Sequence, residues 1–278
     1  MTLWSENLKK IDPSWRAPQA NQFAEAVSKG SDAVLTLLQV MKEGDASQRS
    51  DAAEALGLIG DTRALAPLRA HLQDSDAGVR VNVAVALIRV GDAGLFPEIV
   101  KALRHEDSKV VVGAALALGR LGDKRVVPNL VEAFKTENFE VGAAVAWALG
   151  QCKDPAALPW LITAVEQGFA VANACEALGR IGDIRAKQIL LRALSYSAAD
   201  VRAYAARALA MLAWPTAQNL GPAAMRSGSM EQDKVHKALK RLLKDRSAKV
   251  RLCASLALYE LGEKSAGHQV VRELGGPA

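Results

Sequence analysis

Half of the 278 residues are apolar but only 5% are aromatic, so any core must be built from Ala, Leu and Val rather than from rings. No apolar run approaches the ~18 residues that cross a bilayer, and the opening MTLWSENLKKIDPSW lacks the basic-then-apolar order of a secretory leader. The net charge of +5 is local, since residues 226–251 hold nine Lys/Arg against three Asp/Glu, which argues against a basic groove running along the whole chain.

Residues 1–45 read as an N-terminal helical cap. Leu3, Trp4, Leu8 and Ile11 form one apolar stripe, and Asp32–Lys42 supplies a lone second helix. From residue 46 onward the chain repeats itself. The segments AEALGLIGD (53–61), AVALIRVGD (84–92), ALALGRLGD (115–123), AWALGQCKD (146–154) and CEALGRIGD (175–183) align, with degenerate copies at 206–214 and 255–263. Their leucine column runs 56, 87, 118, 149, 178, 209 and 258, at spacings of 31, 31, 31, 29, 31 and 49. A fixed period of this length marks a stacked repeat architecture.

Each copy predicts two helices. The first ends at a glycine suited to a left-handed C-cap, as at Gly60, Gly91, Gly122 and Gly182. The following aspartate (Asp61, Asp92, Asp123, Asp154 or Asp183) suits a cap for the next element. A proline then stands in the first turn of the second helix, where its missing N–H costs nothing: Pro97, Pro128, Pro159 and, one residue off register, Pro67. The second helices should bury Leu68/Leu72, Ile99/Leu103, Leu130/Phe134, Leu161/Val165 and Leu190/Leu194. After Leu209 the next conserved leucine comes 18 residues late, which predicts an insertion at about 214–232. Behind it, residues 233–245 form an amphipathic basic helix with Val235, Leu239, Leu242 and Leu243 inward. Its lysines read first as a solvated face, with an acidic partner as the alternative.

These units resemble the HEAT-like repeats first noted in phycobilin lyase subunits, whose form is roughly D-x-x-V-R-x-x-A-A-x-A-L-G-x-I-G-D followed by a helix with P-x-L near its start. Segments 76–92, 107–123 and 200–214 follow that form to varying degrees, and the resemblance spans about 46–274. It implies an all-α, right-handed α-solenoid of about seven helix–turn–helix repeats covering 46–278. It implies little about function, since such repeats serve scaffolds, lyase subunits and a few enzymes. The expected role is a cytoplasmic, non-catalytic scaffold or adaptor for another protein. The alternative is a lyase-like or chaperone-like subunit that holds a tetrapyrrole and an acceptor protein. Nucleic-acid binding ranks third.

Function should lie where the copies differ. Second helices of such solenoids are expected to line a concave face. Its outward columns here hold Arg69, Glu98, Lys101, Asn129, Glu132, Trp160 and Arg192, with Arg63, Arg125, Arg185 and Lys187 at the helix starts. Mixed charge around one tryptophan suits a protein surface, where Trp and Arg tend to carry binding energy. A second candidate interface, open to a partner or to self-association, lies on the outer face of the first helices. There Val85, Leu116 and Trp147 occupy a column about 160° from the core, and the arginine at the helix start (Arg49, Arg80, Arg202, Arg251) gives way to Val111, Gly142 and Val171.

No catalytic, cofactor or metal site is expected. The four histidines (His71, His105, His236, His268) fall in different columns. HEAT-like hydroxylases hold iron with several His-Glu pairs, whereas this chain has the single pair His105-Glu106. The cysteines (Cys152, Cys175, Cys253) show no CxxC, and two of them stand in columns otherwise held by small or aliphatic core residues.

Overall fold

The computed structural model describes residues 27–219 except 28 and 93, residues 230–263, and 265–266; for 213–219 and 230–233 it describes the backbone alone. The cap stripe Leu3, Trp4, Leu8 and Ile11, the centre of the expected insertion and His268 lie outside these residues. Every regular element among the described residues is helical. The chain divides into two compact units, residues 1–133 and 134–278.

In the first unit α1 (Val34–Glu43) precedes three helical hairpins: α2 (Ala46–Ile59) with α3 (Leu65–Ala70), α4 (Ala77–Val90) with α5 (Leu95–Ala102), and α6 (Ser108–Leu121) with α7 (Val127–Phe134). The second unit holds α8 (Phe139–Cys152) with α9 (Leu158–Gln167), α10 (Val171–Ile181) with α11 (Lys187–Ala193), then α12 (Ala199–Asn219), α13 (Met230–Leu242) and α14 (Ala248–Glu260). Helix α12 stays helical to Asn219, past Pro215, into the segment where the repeat period predicts an insertion.

The boundaries follow from local chemistry. Asp45 caps α2 through a reciprocal box with Gln48, and Asp76, Asp107 and Asn138 cap α4, α6 and α8 by accepting from early backbone N–H groups. Left-handed glycines close α2, α4, α6 and α10. Helix α8 lacks that glycine, and Lys153 takes the left-handed conformation instead, at φ 50°. The repeated aspartates begin a one-turn 3-10 segment ahead of the second helix. Asp61, Asp123, Asp154 and Asp183 each accept from the backbone N–H two residues on, at 2.9 Å.

Within each unit, first helices pack on the first helices of the next copy (α2–α4–α6; α8–α10–α12–α14), and α3, α5, α9, α11 and α13 each lean on the first helix that follows. The leucine column is buried in both units: Leu56, Leu87 and Leu118 in the first, Leu149, Leu178, Leu209 and Leu258 in the second. Small residues set the spacing. A Cβ on Gly57 would stand 2.7 Å from the Ala86 Cα, and one on Gly179 would stand 2.7 Å from the Ala208 Cα. Neighbouring first helices therefore touch backbone to side-chain stub, which explains a core rich in alanine and poor in rings. Among the second-helix pairs, Leu68, Ile99, Leu103, Leu130, Phe134, Leu161, Val165, Leu190 and Leu194 are buried, and Leu72 is half-buried.

Candidate interaction surfaces

In the first unit, the residues expected to line the second-helix face are mostly held by neighbours. Arg63 and Arg125 fold back onto the aspartates of their own turns, Asp61 and Asp123, at 2.7 and 2.6 Å. Arg63 also donates to the Ser31 carbonyl, and the Arg125 guanidinium lies 5.5 Å from the centre of the Phe96 ring. Arg69 reaches the next copy, where Asp92 accepts at 2.8 Å. Glu98, Lys101 and Glu132 are exposed, and Asn129 is half-buried. The guanidiniums beside Asp61 and Asp123 hold both carboxyls below the usual carboxylate range.

In the second unit Arg185 repeats this turn pairing with Asp183. Arg192 bridges to Glu166 on the preceding second helix at 2.9 Å, and Lys187 is half-buried. Trp160 is different. It stands in the first turn of α9, is 39% exposed, and carries the Lys135 ammonium 5.4 Å from its ring centre. Lys135, just past α7, has no place in the repeat pattern, and nothing in the sequence marks it as the tryptophan's neighbour.

The outer face departs from expectation. Val85 is buried, at 3% exposure, and Leu116 is half-buried. Helix α4 is flanked by first helices on both sides, so the arc left to solvent is narrower than an isolated helical wheel suggests. In the second unit Trp147 is half-buried, and the same column at Glu176 is occupied by ion pairs with Arg180 at 2.9 Å and Arg207 at 3.6 Å. An open Val–Leu column is therefore not present.

The helix-start arginines point into the loops. Arg49 grips both oxygens of Asp74 in the next loop at 2.8 Å and donates to the Gly44 carbonyl. Arg202 does the same with Asp245, at 2.8 and 2.9 Å, while a third nitrogen donates to the Tyr196 and Ser197 carbonyls. Arg80 and Arg251 donate to loop carbonyls. Where the arginine is missing, Val111, Gly142 and Val171 are buried, so their substitution does not uncover the surface.

Gly142 has a specific reason to be glycine. A Cβ there would come within 2.3 Å of the Phe169 ring. That ring meets Phe134 at 5.9 Å and Phe139 at 6.5 Å, both edge-on, and Phe139 is 63% exposed. The shortened 29-residue spacing from Leu149 to Leu178 is taken up here. Gly168 and Ala170 are both left-handed, α10 begins with no side-chain cap, and Phe169 is turned onto the copy before it.

Among the described residues no three His, Cys, Asp or Glu side chains cluster as a metal site. His71 lies between the Pro67 and Met41 carbonyls, and His105 accepts from the Asp107 N–H. The three cysteines are buried. Burial pushes the Cys175 thiol up to about 12 and the Cys253 thiol up to about 11, which keeps both protonated at neutral pH.

The family of HEAT repeats matches residues 34–111 and 96–171. The chain is a HEAT-repeat protein. No curated protein matches it in sequence. Among solved structures it is similar to the complex of CpcE and CpcF of phycocyanin lyase from Nostoc sp. PCC7120, at 25% identity and TM-score 0.45 over 76% of this chain and 92% of that one. It is also similar to human deoxyhypusine hydroxylase in complex with glycerol, at 21% identity and TM-score 0.37 over 92% and 94%. An engineered protein aligns at 24% identity and TM-score 0.43 over 90% and 74%. No helix among the described residues is long and apolar enough to cross a membrane.

Proposed function

We propose that this HEAT-repeat protein is a non-catalytic scaffold that binds a partner protein through the outward face of its second helices, centred in the second unit on Trp160. The observation that carries this reading is the half-open indole of Trp160 beneath Lys135, on a face whose other large groups are charged. Corresponding positions hold Glu98 and Asn129 in the first unit, so the repeat does not require a ring there. A large, stiff aromatic ringed by polar groups is the usual anchor of a protein interface. Arg185, Lys187 and Arg192 stand on the next second helix and the turn that leads into it. Arg69, Glu98, Lys101, Arg125, Asn129 and Glu132 extend the proposal to the equivalent face of the first unit. Asp61, Asp123 and Asp183 support a non-catalytic role, because their oxygens are spent on capping and on the arginines of their own turns.

The test is capture from lysate with the wild-type protein, a Trp160→Ala/Arg192→Ala variant and a Trp147→Glu variant, each checked by circular dichroism for unchanged melting. Proteins held by wild type and by Trp147→Glu, but not by the Trp160 variant, would support the reading. Equal capture by all three baits, or loss only with Trp147→Glu, would refute it.

A further inference from the structure

Most arginines of the described residues belong to the fold, paired with an aspartate or glutamate or bound to loop carbonyls. Helix α13 and its C-terminal turn gather several cations on one face. His236, Lys237, Lys240, Arg241 and Lys244 lie together on one open stretch of its surface. Lys240 meets Glu263 at 2.7 Å, whereas Lys237, Arg241 and Lys244 have no carboxylate partner among the described residues.

The helix fixes how these groups are presented. Val235, Leu239 and Leu242 are buried, so the core anchors one side, and Lys237, Lys240, Arg241 and Lys244 are exposed on the other. Each of these four has another cation three or four residues away. Like charges at that spacing repel along a helix surface, a cost that the place of Lys240 and Arg241 in the last turn, at the negative end of the helix dipole, offsets in part. An acidic ligand lying along the stripe relieves what repulsion remains.

We propose that this face binds an acidic segment of a partner polypeptide. From Lys237 to Lys244 the stripe spans about 10 Å at the helical rise. Carboxylates on a partner helix at i, i+3, i+4 and i+7 repeat over the same length. That stretch holds no aromatic side chain on which bases could stack, and the stripe occupies one helix rather than a track across several repeats, which disfavours a nucleic-acid strand. The inference does not depend on Trp160, whose surface is apolar at its centre.

The probe is a fluorescein-labelled Ala/Glu peptide with glutamates at helical i, i+3, i+4 and i+7 spacing, beside its Gln counterpart, read by anisotropy at ~0.15 M salt. The Glu peptide should bind the full chain and the Gln peptide should not. Reversing Lys237→Glu with Lys244→Glu should weaken binding about tenfold or more. Lys42→Glu with Lys109→Glu, an equal change of net charge elsewhere, should alter it by less than about twofold. All four substituted side chains are exposed, and melting curves check that each variant is folded. Equal loss in the Lys42/Lys109 variant would overturn the inference, because attraction would then follow net charge. Tighter binding of an oligo(dT) strand or of phosphatidylserine vesicles to the same face would also overturn it, and so would absence of Glu-peptide binding.

Discussion

Two corners of the second unit fill the same place in the repeat in opposite ways. At α12, the helix-start Arg202 reaches into the next loop and grips Asp245, with both side chains almost completely buried. At α8 the equivalent position is Gly142, and the next loop returns a phenyl ring instead of a carboxylate. The first solution uses charge-assisted hydrogen bonds, which are directional and need every donor matched. The second uses shape, and it leaves Phe139 as an open aromatic edge. The repeat therefore demands a plug between one helix start and the next loop, not a particular chemistry.

The largest expected effect comes from breaking the charged plug. Arg202→Ala leaves Asp245 with only the Ser247 N–H and two loop carbonyls without the guanidinium, and should cost about 2–3 kcal/mol in urea unfolding. A loss below about 0.5 kcal/mol would show that the corner is not held by this pair.

The aromatic plug should show its dependence on shape through non-additivity. Phe169→Ala alone should cost about 2 kcal/mol, and Gly142→Val alone a similar amount through overpacking. The double variant should cost clearly less than the two together, because the valine then fills space the ring has left. Simple addition would contradict the contact.

Acid separates the corners further. The guanidinium hydrogen bonds from Arg202 and Arg49 hold the Asp245 and Asp74 carboxyls below the usual range. A depressed folded pKa contributes stability that is present above the unfolded value near 4 and is lost as pH falls through the folded value. Wild type should therefore lose melting temperature below about pH 4 more steeply than Arg202→Ala, while Phe169→Ala should keep the wild-type slope. The smallest expected effect is a gain. Lys153→Gly relieves a left-handed lysine at φ 50° and should raise stability by at most about 1 kcal/mol, read as a higher melting temperature.

The sequence makes the repeat readable because its signals are local. A leucine every 31 residues, a glycine that closes a helix and an aspartate that opens the next turn each act within a few residues of themselves. Most of the core follows from that column. What could not be read depends on contacts between copies. Val85 lies far from the core on its own helical wheel, yet the flanking helices bury it. The arginines at the helix starts look like surface charge until the loop carbonyls beside them are placed. The spacing of 29 was visible, but not that it would turn Phe169 onto Gly142. Trp160 was visible as an unusual residue in its column, and Lys135 above it was not.

The central claim is that partners meet the second-helix face. It is tested most directly by placing the photo-cross-linker p-benzoylphenylalanine at Thr163, exposed one turn beyond Trp160 on α9, and in a second protein at Leu58, exposed on first helix α2. The account predicts a light-dependent adduct to a partner protein from position 163 and none from position 58. Adducts from position 58 alone would place recognition on the first helices and contradict it.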